Sequence, residues 1–284
     1  MKREDLIHPE ISGNKFWKLF HNLQNYLEKT PGNPLLITFG GAFSNHIASV
    51  AAFGRISGME TLGIIRGEEL ADRHLENETL SRAHYNGMRF RFVTREDFRE
   101  KGMLTDQLKK EFPEALIIPE GGTNEQAVAG IRNMLSDETK EFNYLCSAVG
   151  TGGTVAGISK YCEADQKVIG FAVVKDTSLG DKIPELSGRK NFMLQDACYG
   201  GYGKINDDLI RYINSFYLEY GIPLDPVYTG KMMKKLFDRI ESGYFPEGSR
   251  ILAFHTGGLQ GIAGANRMLK AKNRTIINFQ NDII

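Results

Sequence analysis

Two lysines near the start of the chain, Lys15 and Lys18, have a spacing that suits a nucleophilic amine with a second cation beside it. Residues three apart on a helix share one face, so the two amines would lie close together. An exposed lysine has a pKa of about 10.4 and is a poor nucleophile at neutral pH, but burial and a neighbouring cation both lower that pKa. Two lysines alone are more often part of a solvated helix face, so the rest of the chain must decide between these interpretations.

The strongest chemical signal is the glycine turn in the segment AVGTGGTVAGI, residues 148–158, which follows an apolar strand and opens a helix. Glycines let backbone N–H groups converge, and the positive end of the following helix points to the same place. Two threonine hydroxyls would add further donors. The sequence therefore predicts a phosphate site, with the ligands Gly150, Thr151, Gly152, Gly153 and Thr154. The alternative is a strand-to-helix turn without a ligand.

This turn does not match the common nucleotide motifs. It lacks the ending of a Walker A loop, because Gly157 is followed by Ile158 and Ser159. Counting from Gly150, the third glycine of a dinucleotide fingerprint would fall on Val155, which disfavours a nicotinamide-dependent oxidoreductase. A single phosphate paired with a reactive lysine indicates pyridoxal 5′-phosphate instead, because the aldehyde of that cofactor needs a lysine amine as its imine partner.

Two further glycine turns follow apolar strands, GGAFSNH at 40–46 and HTGG at 255–258. Ser44 is a good N-cap for the helix that begins there, and the free N–H groups of that helix could also hold a carboxylate. Thr256 either closes a strand or directs its hydroxyl to a ligand ring. Because ligands of open parallel sheets bind beyond the carboxyl ends of the strands, the three turns could share one site.

The elements that must position these residues alternate between strand and helix. Seven apolar runs indicate buried parallel strands, at 35–39, 61–65, 89–93, 115–119, 144–149, 168–174 and 250–254. Helical patterns separate most of them, which predicts an α/β fold with two open parallel sheets, each covered by helices on both faces. We place a smaller α/β lobe at 33–131 and a larger, cofactor-binding lobe at 1–32 plus 132–284. Residues 176–207 are the least regular stretch and are expected to carry function or to cover a site.

The first helix is predicted at 14–29, with an amphipathic pattern that assigns its two faces. The core-facing stripe is predicted to consist of Phe16, Leu19, Phe20, Leu23 and Leu27. The other face is predicted to carry Lys15, Lys18 and Asn22.

The composition disfavours several classes of protein. The 284 residues include 35 basic and 35 acidic side chains, so no net charge attracts the protein to nucleic acid or to an anionic membrane. No apolar run approaches the roughly 20 residues of a membrane span, and the N-terminus lacks the apolar core of a secretory signal. The cysteines, Cys146, Cys162 and Cys198, are scattered, which indicates neither disulfides nor a metal site and favours a cytoplasmic location.

Six motifs occur in the order found in one enzyme family: KREDL, SGNKFWKL, GGAFSNH, AVGTGGTVAGI, LDPVYTGK and HTGG. Over essentially its whole length the chain resembles the aminocyclopropane-carboxylate deaminase / D-cysteine desulfhydrase family. The resemblance implies pyridoxal 5′-phosphate as cofactor, a tryptophan-synthase-β-like fold (fold type II), a small amino-acid substrate and a homodimer. Family members usually carry a further N-terminal segment before the KRED motif, so we expect less packing in the larger lobe here.

The resemblance also implies roles for single residues. Lys15 would form the imine with the cofactor, and Lys18 would lie near its phosphate. Asn45 would bond the ring oxygen of the cofactor. Ser44 would receive the substrate carboxylate together with neighbouring N–H groups, and it is also a candidate for proton transfer.

Tyr202 and Tyr228 resemble the two active-site tyrosines of the family, although a phenol suits proton transfer only if its pKa is lowered. Thr229 and Thr256 would lie at the cofactor ring, at the positions of Glu and Leu in members that open the cyclopropane ring. Both are Thr in desulfhydrase-like members. A neutral hydroxyl favours protonation of the ring nitrogen less than a carboxylate does, and β-elimination tolerates the weaker electron sink.

These features together predict a lyase that releases ammonia and a 2-oxo acid, with D-cysteine desulfhydrase-like β-elimination as the leading activity and Lys15 or Tyr228 as the base. One alternative is a 1-aminocyclopropane-1-carboxylate deaminase. Another is a catalytically inactive protein that binds the cofactor or an anion. Three histidines, His46, His74 and His255, receive no role from the sequence.

Overall fold

The computed structural model describes residues 1–11, 13–28 and 35–279, apart from the side chain of Asn25. Two separate parallel sheets form the framework, as the strand pattern predicts. The smaller sheet has the strand order β4-β3-β2-β5. Its strands are β2 (Leu35–Gly40), β3 (Glu60–Arg66), β4 (Arg89–Val93) and β5 (Leu116–Ile118).

The larger sheet has the strand order β1-β9-β6-β7-β8 and is also parallel throughout. Its strands are β1 (Lys2–Arg3), β6 (Tyr144–Val149), β7 (Lys167–Ala172), β8 (Phe192–Asp196) and β9 (Ile251–His255). The helices are α1 (Asn14–Leu27), α2 (Asn45–Ser57), α3 (Glu78–Tyr85), α4 (Lys101–Glu111), α5 (Glu125–Gly130), α6 (Gly153–Tyr161), α7 (Leu179–Ser187), α8 (Asp207–Tyr220), α9 (Thr229–Glu241) and α10 (Gly261–Ala271).

Helices cover both faces of each sheet, because alternate residues of a strand point to opposite sides. In β6, Cys146 packs in the core formed with α8, α9 and α10, whereas Leu145 packs in the core formed with α5, α6 and α7. In β2, Leu36 packs with α1, α2 and α3, and Ile37 faces α4. The predicted α/β architecture with three layers in each lobe is therefore confirmed. Among the helices of the described residues, none is long and apolar enough to span a membrane.

The first helix buries a different face from the predicted one. Leu19 and Leu23 lie in the core, as expected, but Phe20 and Leu27 are 47% and 45% exposed. Lys18 is only 1% exposed. The reason is tertiary, because α1 lies between the two lobes and its polar side meets residues 121–124 rather than solvent.

The stretch 176–207 is more regular than the sequence suggests. It contains the helix α7 and the strand β8, so the prediction of irregular structure is wrong for these two segments. The strand β8 lies at the edge of the larger sheet and its residues are only half-buried or exposed, so its apolar run, 192–194, is too short to reveal it. The part that remains irregular includes the loop 198–204, which leads to the site described below.

Each predicted lobe contributes a helix residue to the core of the other lobe. The smaller sheet lies within residues 35–118, inside the predicted smaller lobe. Leu19 of α1, however, packs in the core of the smaller sheet, and Val128 of α5 packs in the core of the larger one. The limits 33 and 131 therefore stay a prediction. The three cysteines are free and buried.

Candidate active site

A cavity of about 690 Å³ opens between the carboxyl ends of the two sheets. All the predicted site residues except Thr229 line it. The three glycine turns after β2, β6 and β9 meet there, together with the start of α1. Its volume is in the range of roughly 300–1,000 Å³ that is usual for pockets binding small ligands.

A close backbone contact places Lys15 in this cavity. Gly13 has a φ of 64°, and a Cβ atom on it would lie 2.1 Å from the carbonyl oxygen of Thr256. Only a glycine lets the start of α1 approach the turn after β9 so closely. Burial lowers the pKa of the Lys15 amine to about 8. A much larger fraction of this amine is therefore unprotonated at neutral pH than in an exposed lysine.

Lys18 lies one helical turn further on, and its amine is directed to the glycine turn after β6. Its Nζ lies 3.3 Å from both the carbonyl oxygen of Gly121 and the Oγ1 of Thr123, and 3.0 Å from where a Cβ on Gly153 would be. Burial, and then the charge of Lys15, lower the pKa of Lys18. An anion bound in front of this turn would supply the counter-charge that Lys18 lacks among the described residues.

The turn after β6 forms a cradle of the shape that a phosphate requires. Gly152 has a φ of 86°, and α6 starts at the next residue with its N-terminus open to the cavity. A Cβ on Gly150 would lie 3.1 Å from the ring of Tyr228, so a side chain at this position would crowd the cradle. Thr151 and Thr154 both line the cavity, and the Thr154 hydroxyl, which accepts a hydrogen bond from the Asn14 Nδ2 at 2.7 Å, keeps its own proton to donate. Helix N–H groups, hydroxyls and the Lys18 cation make a donor set that fits a phosphate group.

Ser44 is the N-cap of α2, because its Oγ accepts a hydrogen bond from the N–H of Ile47 at 3.3 Å. The predicted cap is therefore confirmed, and Asn45 and His46, whose N–H groups have no intrahelical acceptor, both line the cavity. The side chain of Asn45 reaches the turn after β9, since a Cβ on Gly258 would lie 2.8 Å from the Asn45 Nδ2. These two residues thus connect the turns that follow β2 and β9.

His46 is a lining residue of the cavity to which the sequence assigned no role. The hydroxyl of Thr38 donates to the carbonyl oxygen of Ile118 at 3.0 Å, so it must accept from the Nε2–H of His46, 2.8 Å away. The Nδ1 of His46 therefore carries a lone pair, and it is buried without a hydrogen-bond partner among the described residues. Burial, followed by the charges of the two lysines, lowers the pKa of His46 and keeps it neutral. The only sequence signal for this residue is its place directly after the N-cap motif.

Tyr202 and Tyr228 form a pair at the mouth of the cavity. Their hydroxyl oxygens are 3.0 Å apart, and the rings meet edge to face with centroids 6.0 Å apart. Burial raises the pKa of both phenols, most strongly that of Tyr228. The shift is opposite to the one that a tyrosine base requires. At neutral pH both phenols therefore stay protonated and can donate hydrogen bonds, whereas Lys15 is better suited to accept a proton.

Thr229 lies outside the cavity and is fully buried. Its hydroxyl donates to the Oδ1 of Asp225 at 2.8 Å, and the N–H groups of Val227, Tyr228 and Thr229 also bond the Asp225 carboxylate. Asp225 thereby fixes the start of α9 and the backbone of Tyr228. The sequence did not single out Asp225, although its place three residues before a candidate tyrosine is typical of a helix-capping acid. A role for Thr229 at the cofactor ring stays a prediction.

Comparison with known proteins agrees with this geometry. The family model described as "Pyridoxal-phosphate dependent enzyme" matches residues 1–257. A protein of Pyrococcus horikoshii named putative 1-aminocyclopropane-1-carboxylate deaminase is 31% identical, over 92% of this chain and 84% of its own. A mitochondrial protein of Arabidopsis thaliana, named bifunctional D-cysteine desulfhydrase/1-aminocyclopropane-1-carboxylate deaminase, is 27% identical over 92% of this chain and 72% of its own.

The solved structures show the same relationship. A crystal structure described as that of an ACC deaminase homologue is 29% identical and superposes with a TM-score of 0.79, covering 95% of this chain and 87% of the other. A hydrogen sulfide-producing enzyme of Fusobacterium nucleatum is 17% identical with a TM-score of 0.65, over 95% of this chain and 86% of the other, and shares the fold. The lysine pair, the phosphate cradle and these matches lead to one assignment: the chain belongs to the family of pyridoxal-phosphate dependent enzymes.

Proposed function

We propose that the protein is a pyridoxal-phosphate-dependent lyase that removes the β-substituent of a small amino acid, with D-cysteine as the leading substrate. The observation that carries the proposal is the meeting of Lys15, Lys18 and the glycine cradle in one cavity, since this set suits a cofactor with one phosphate and one aldehyde. The cofactor, when bound, supplies an electron sink for the negative charge that develops at the α-carbon of the substrate. The residues of the chain supply binding and proton transfer.

Proton transfer is divided between the lysine and the tyrosines. Lys15 has a pKa of about 8, so it can accept the α-proton near neutral pH. The protonated phenols of Tyr202 and Tyr228 can donate hydrogen bonds to the leaving group as the bond between the β-carbon and sulfur breaks. The N-terminus of α2 and Ser44 receive the substrate carboxylate. For cysteine, the balanced products are pyruvate, ammonia and hydrogen sulfide, with one water consumed.

The surroundings of the cofactor ring favour β-elimination over ring opening. Thr256, which lines the cavity, offers a neutral hydroxyl rather than a charge. Asp225 lies 3.1 Å behind the Cβ position of Gly258, but its carboxylate already accepts four hydrogen bonds. Asp225 is also not among the residues that line the cavity, so it would not act as a partner of the ring nitrogen, and this supports a reaction that tolerates a weaker electron sink.

The second candidate is a 1-aminocyclopropane-1-carboxylate deaminase. It is favoured by the names of relatives in Pyrococcus horikoshii and Pyrococcus abyssi, which are 31% and 33% identical to this chain. Both candidates place the same residues in the cavity, so only turnover can separate them.

The test is the release of 2-oxo acid from a panel of D- and L-cysteine, D- and L-β-chloroalanine and 1-aminocyclopropane-1-carboxylate, with Lys15→Ala as the negative control. We expect turnover of D-cysteine to exceed that of the cyclopropane substrate by at least tenfold, that is by about 1.4 kcal/mol of transition-state stabilisation. Turnover of the cyclopropane substrate alone would establish the second candidate. A protein that binds the cofactor but releases no 2-oxo acid would be an inactive binding protein.

The proposal includes a homodimer in a reducing compartment, such as the cytoplasm. Support comes from the three free, buried cysteines and from Phe20 and Leu27, which leave apolar surface exposed on α1. Sedimentation equilibrium of the wild-type protein and of a Phe20→Glu variant tests the dimer. A monomeric wild-type protein would refute this part of the proposal without affecting the chemistry.

A further inference from the structure

Lys231 is a buried cation whose partners are backbone carbonyl groups. It lies in the first turn of α9 and has no solvent exposure. Its Nζ donates to the carbonyl oxygens of Cys198, at 2.8 Å, and Gly201, at 2.7 Å. Within the described part of the chain no carboxylate forms an ion pair with it. Burying a charged amine costs free energy, so we expect Lys231 to stabilise a local structure, through its hydrogen bonds, that an apolar side chain could not stabilise.

The two carbonyl groups belong to the loop 198–204, whose backbone is bent at several places. Positive φ angles occur at Tyr199, Gly200, Gly201 and Gly203, of 45°, 93°, 130° and 67°. The loop closes on itself through bonds from the N–H of Gly201 to the carbonyl of Cys198, at 3.0 Å, and from the N–H of Lys204 to the carbonyl of Gly201, at 3.2 Å. The two carbonyl groups that accept these bonds are the same two that Lys231 binds, so one amine ties the whole loop to α9.

This loop carries Tyr202, which stands between two of these glycines. A loop with so much backbone freedom does not fix a side chain by itself. Tyr202 as a whole residue is 49% exposed, so packing restrains it only in part. Its hydroxyl nevertheless lies 3.0 Å from that of Tyr228, the residue directly before α9. Tyr228 is joined to α9 through the chain, and Tyr202 is joined to the same helix through Lys231.

We propose that Lys231 is a positioning residue, which holds the loop 198–204 so that the Tyr202 hydroxyl stays paired with the Tyr228 hydroxyl during turnover. Lys231 lies outside the lining of the cavity and does not touch substrate, so its effect on the reaction passes through Tyr202. The catalytic part of this inference rests on the proposed function, in which the two phenols assist the leaving group. The anchoring of the loop does not depend on that function.

The variant Lys231→Met removes the amine and keeps most of the length of the side chain. We expect hydrogen–deuterium exchange of the amides of residues 199–204 in the holoenzyme to become at least tenfold faster, while cofactor absorbance stays at the wild-type level. Lys235→Met is the matched control. It removes a lysine amine one turn further along α9 that donates no hydrogen bond to the loop. Lys231→Gln retains a donor, should restore part of the protection, and carries the test if the Met variant does not fold.

A kinetic cycle distinguishes positioning from a merely structural role. Tyr202→Phe is expected to lower kcat by a factor of about 10². Lys231→Met is expected to lower kcat by about tenfold with little change in KM, since misplacing a reacting group costs rate rather than substrate binding. In the double variant the two effects should not multiply, and kcat should stay within about twofold of that of Tyr202→Phe alone.

Two results would overturn the inference. Unchanged exchange in the loop of Lys231→Met would show that the amine does not anchor it. Multiplicative effects in the double variant would show that Lys231 does not act through Tyr202. A protein that turns over no amino acid would count against the proposed function alone, because the exchange measurement needs no substrate.

Discussion

Raising the pH should speed the covalent attachment of the cofactor to Lys15, with a midpoint near pH 8. Only the unprotonated amine attacks an aldehyde, and burial in the cavity lowers the pKa of this amine to about 8. An exposed lysine would show the same rise at a much higher pH. The position of the midpoint therefore measures how well the site excludes water from the amine.

The size of the effect follows from the two pKa values. At pH 7, an amine with a pKa of about 8 is unprotonated in roughly a tenth of the molecules. An amine with the ordinary pKa of about 10.4 is unprotonated in roughly 0.04% of them. The environment of Lys15 thus raises the reactive fraction by a factor of roughly 200 at neutral pH, and this advantage disappears above pH 10.

The assay is the rate at which apoprotein takes up added pyridoxal 5′-phosphate, followed by visible absorbance between pH 6 and pH 10. Borohydride reduction and peptide mass spectrometry then identify the modified lysine. The same profile with Nα-acetyl-lysine in place of the protein corrects for the titration of the cofactor itself. A protein profile that matches this reference, or a label on lysines other than Lys15, would refute the reasoning.

Three further predictions follow from the same geometry. Apoprotein with Lys15→Met should be more stable than wild type at pH 7, by up to about 3 kcal/mol, because the folded wild-type chain binds the proton of Lys15 less tightly than the unfolded chain does. The stability of the wild-type protein should rise between about pH 8 and pH 10.4, and the difference between the two proteins should vanish above that range, as measured by urea denaturation at several pH values. Gly13→Ala should lower the free energy of unfolding by more than about 2 kcal/mol and should also weaken cofactor binding, because the added Cβ would lie 2.1 Å from a backbone oxygen. Gly58→Ala is the control, since Gly58 also has a positive φ but has open space around it, and equal losses of stability in the two variants would contradict the packing argument. Tyr228→Phe should lower kcat by about 10²-fold at unchanged cofactor absorbance, and steady-state kinetics with wild-type turnover would remove the phenol from the mechanism.

The sequence could predict the parts of the site that depend on local backbone. The glycines after β6 and the N-cap at Ser44 follow from turn and helix geometry, and both are present in the structure. The convergence of the three turns could also be anticipated, because the carboxyl ends of parallel strands share one edge of a sheet.

The sequence could not predict what depends on neighbouring elements. The stripe on α1 gave no sign that Lys18 would be buried while Phe20 stays exposed, since that depends on the lobe that packs against the polar face. The Nδ1 lone pair of His46 depends on the hydroxyl of Thr38, which accepts from the other ring nitrogen, and on the carbonyl of Ile118 in β5, to which that hydroxyl donates. The capping of α9 by Asp225, which keeps Thr229 out of the cavity, likewise requires the folded turn.

The burial of every cysteine leaves the outside of the molecule free of thiols that a maleimide can reach. Cys146, Cys162 and Cys198 are 0%, 5% and 4% exposed, so maleimide dyes should not attach to the native protein. A single cysteine introduced on an exposed helix residue of each lobe would then accept a fluorophore without background labelling. Energy transfer between two such dyes would report whether the lobes approach one another when an amino acid enters the cleft.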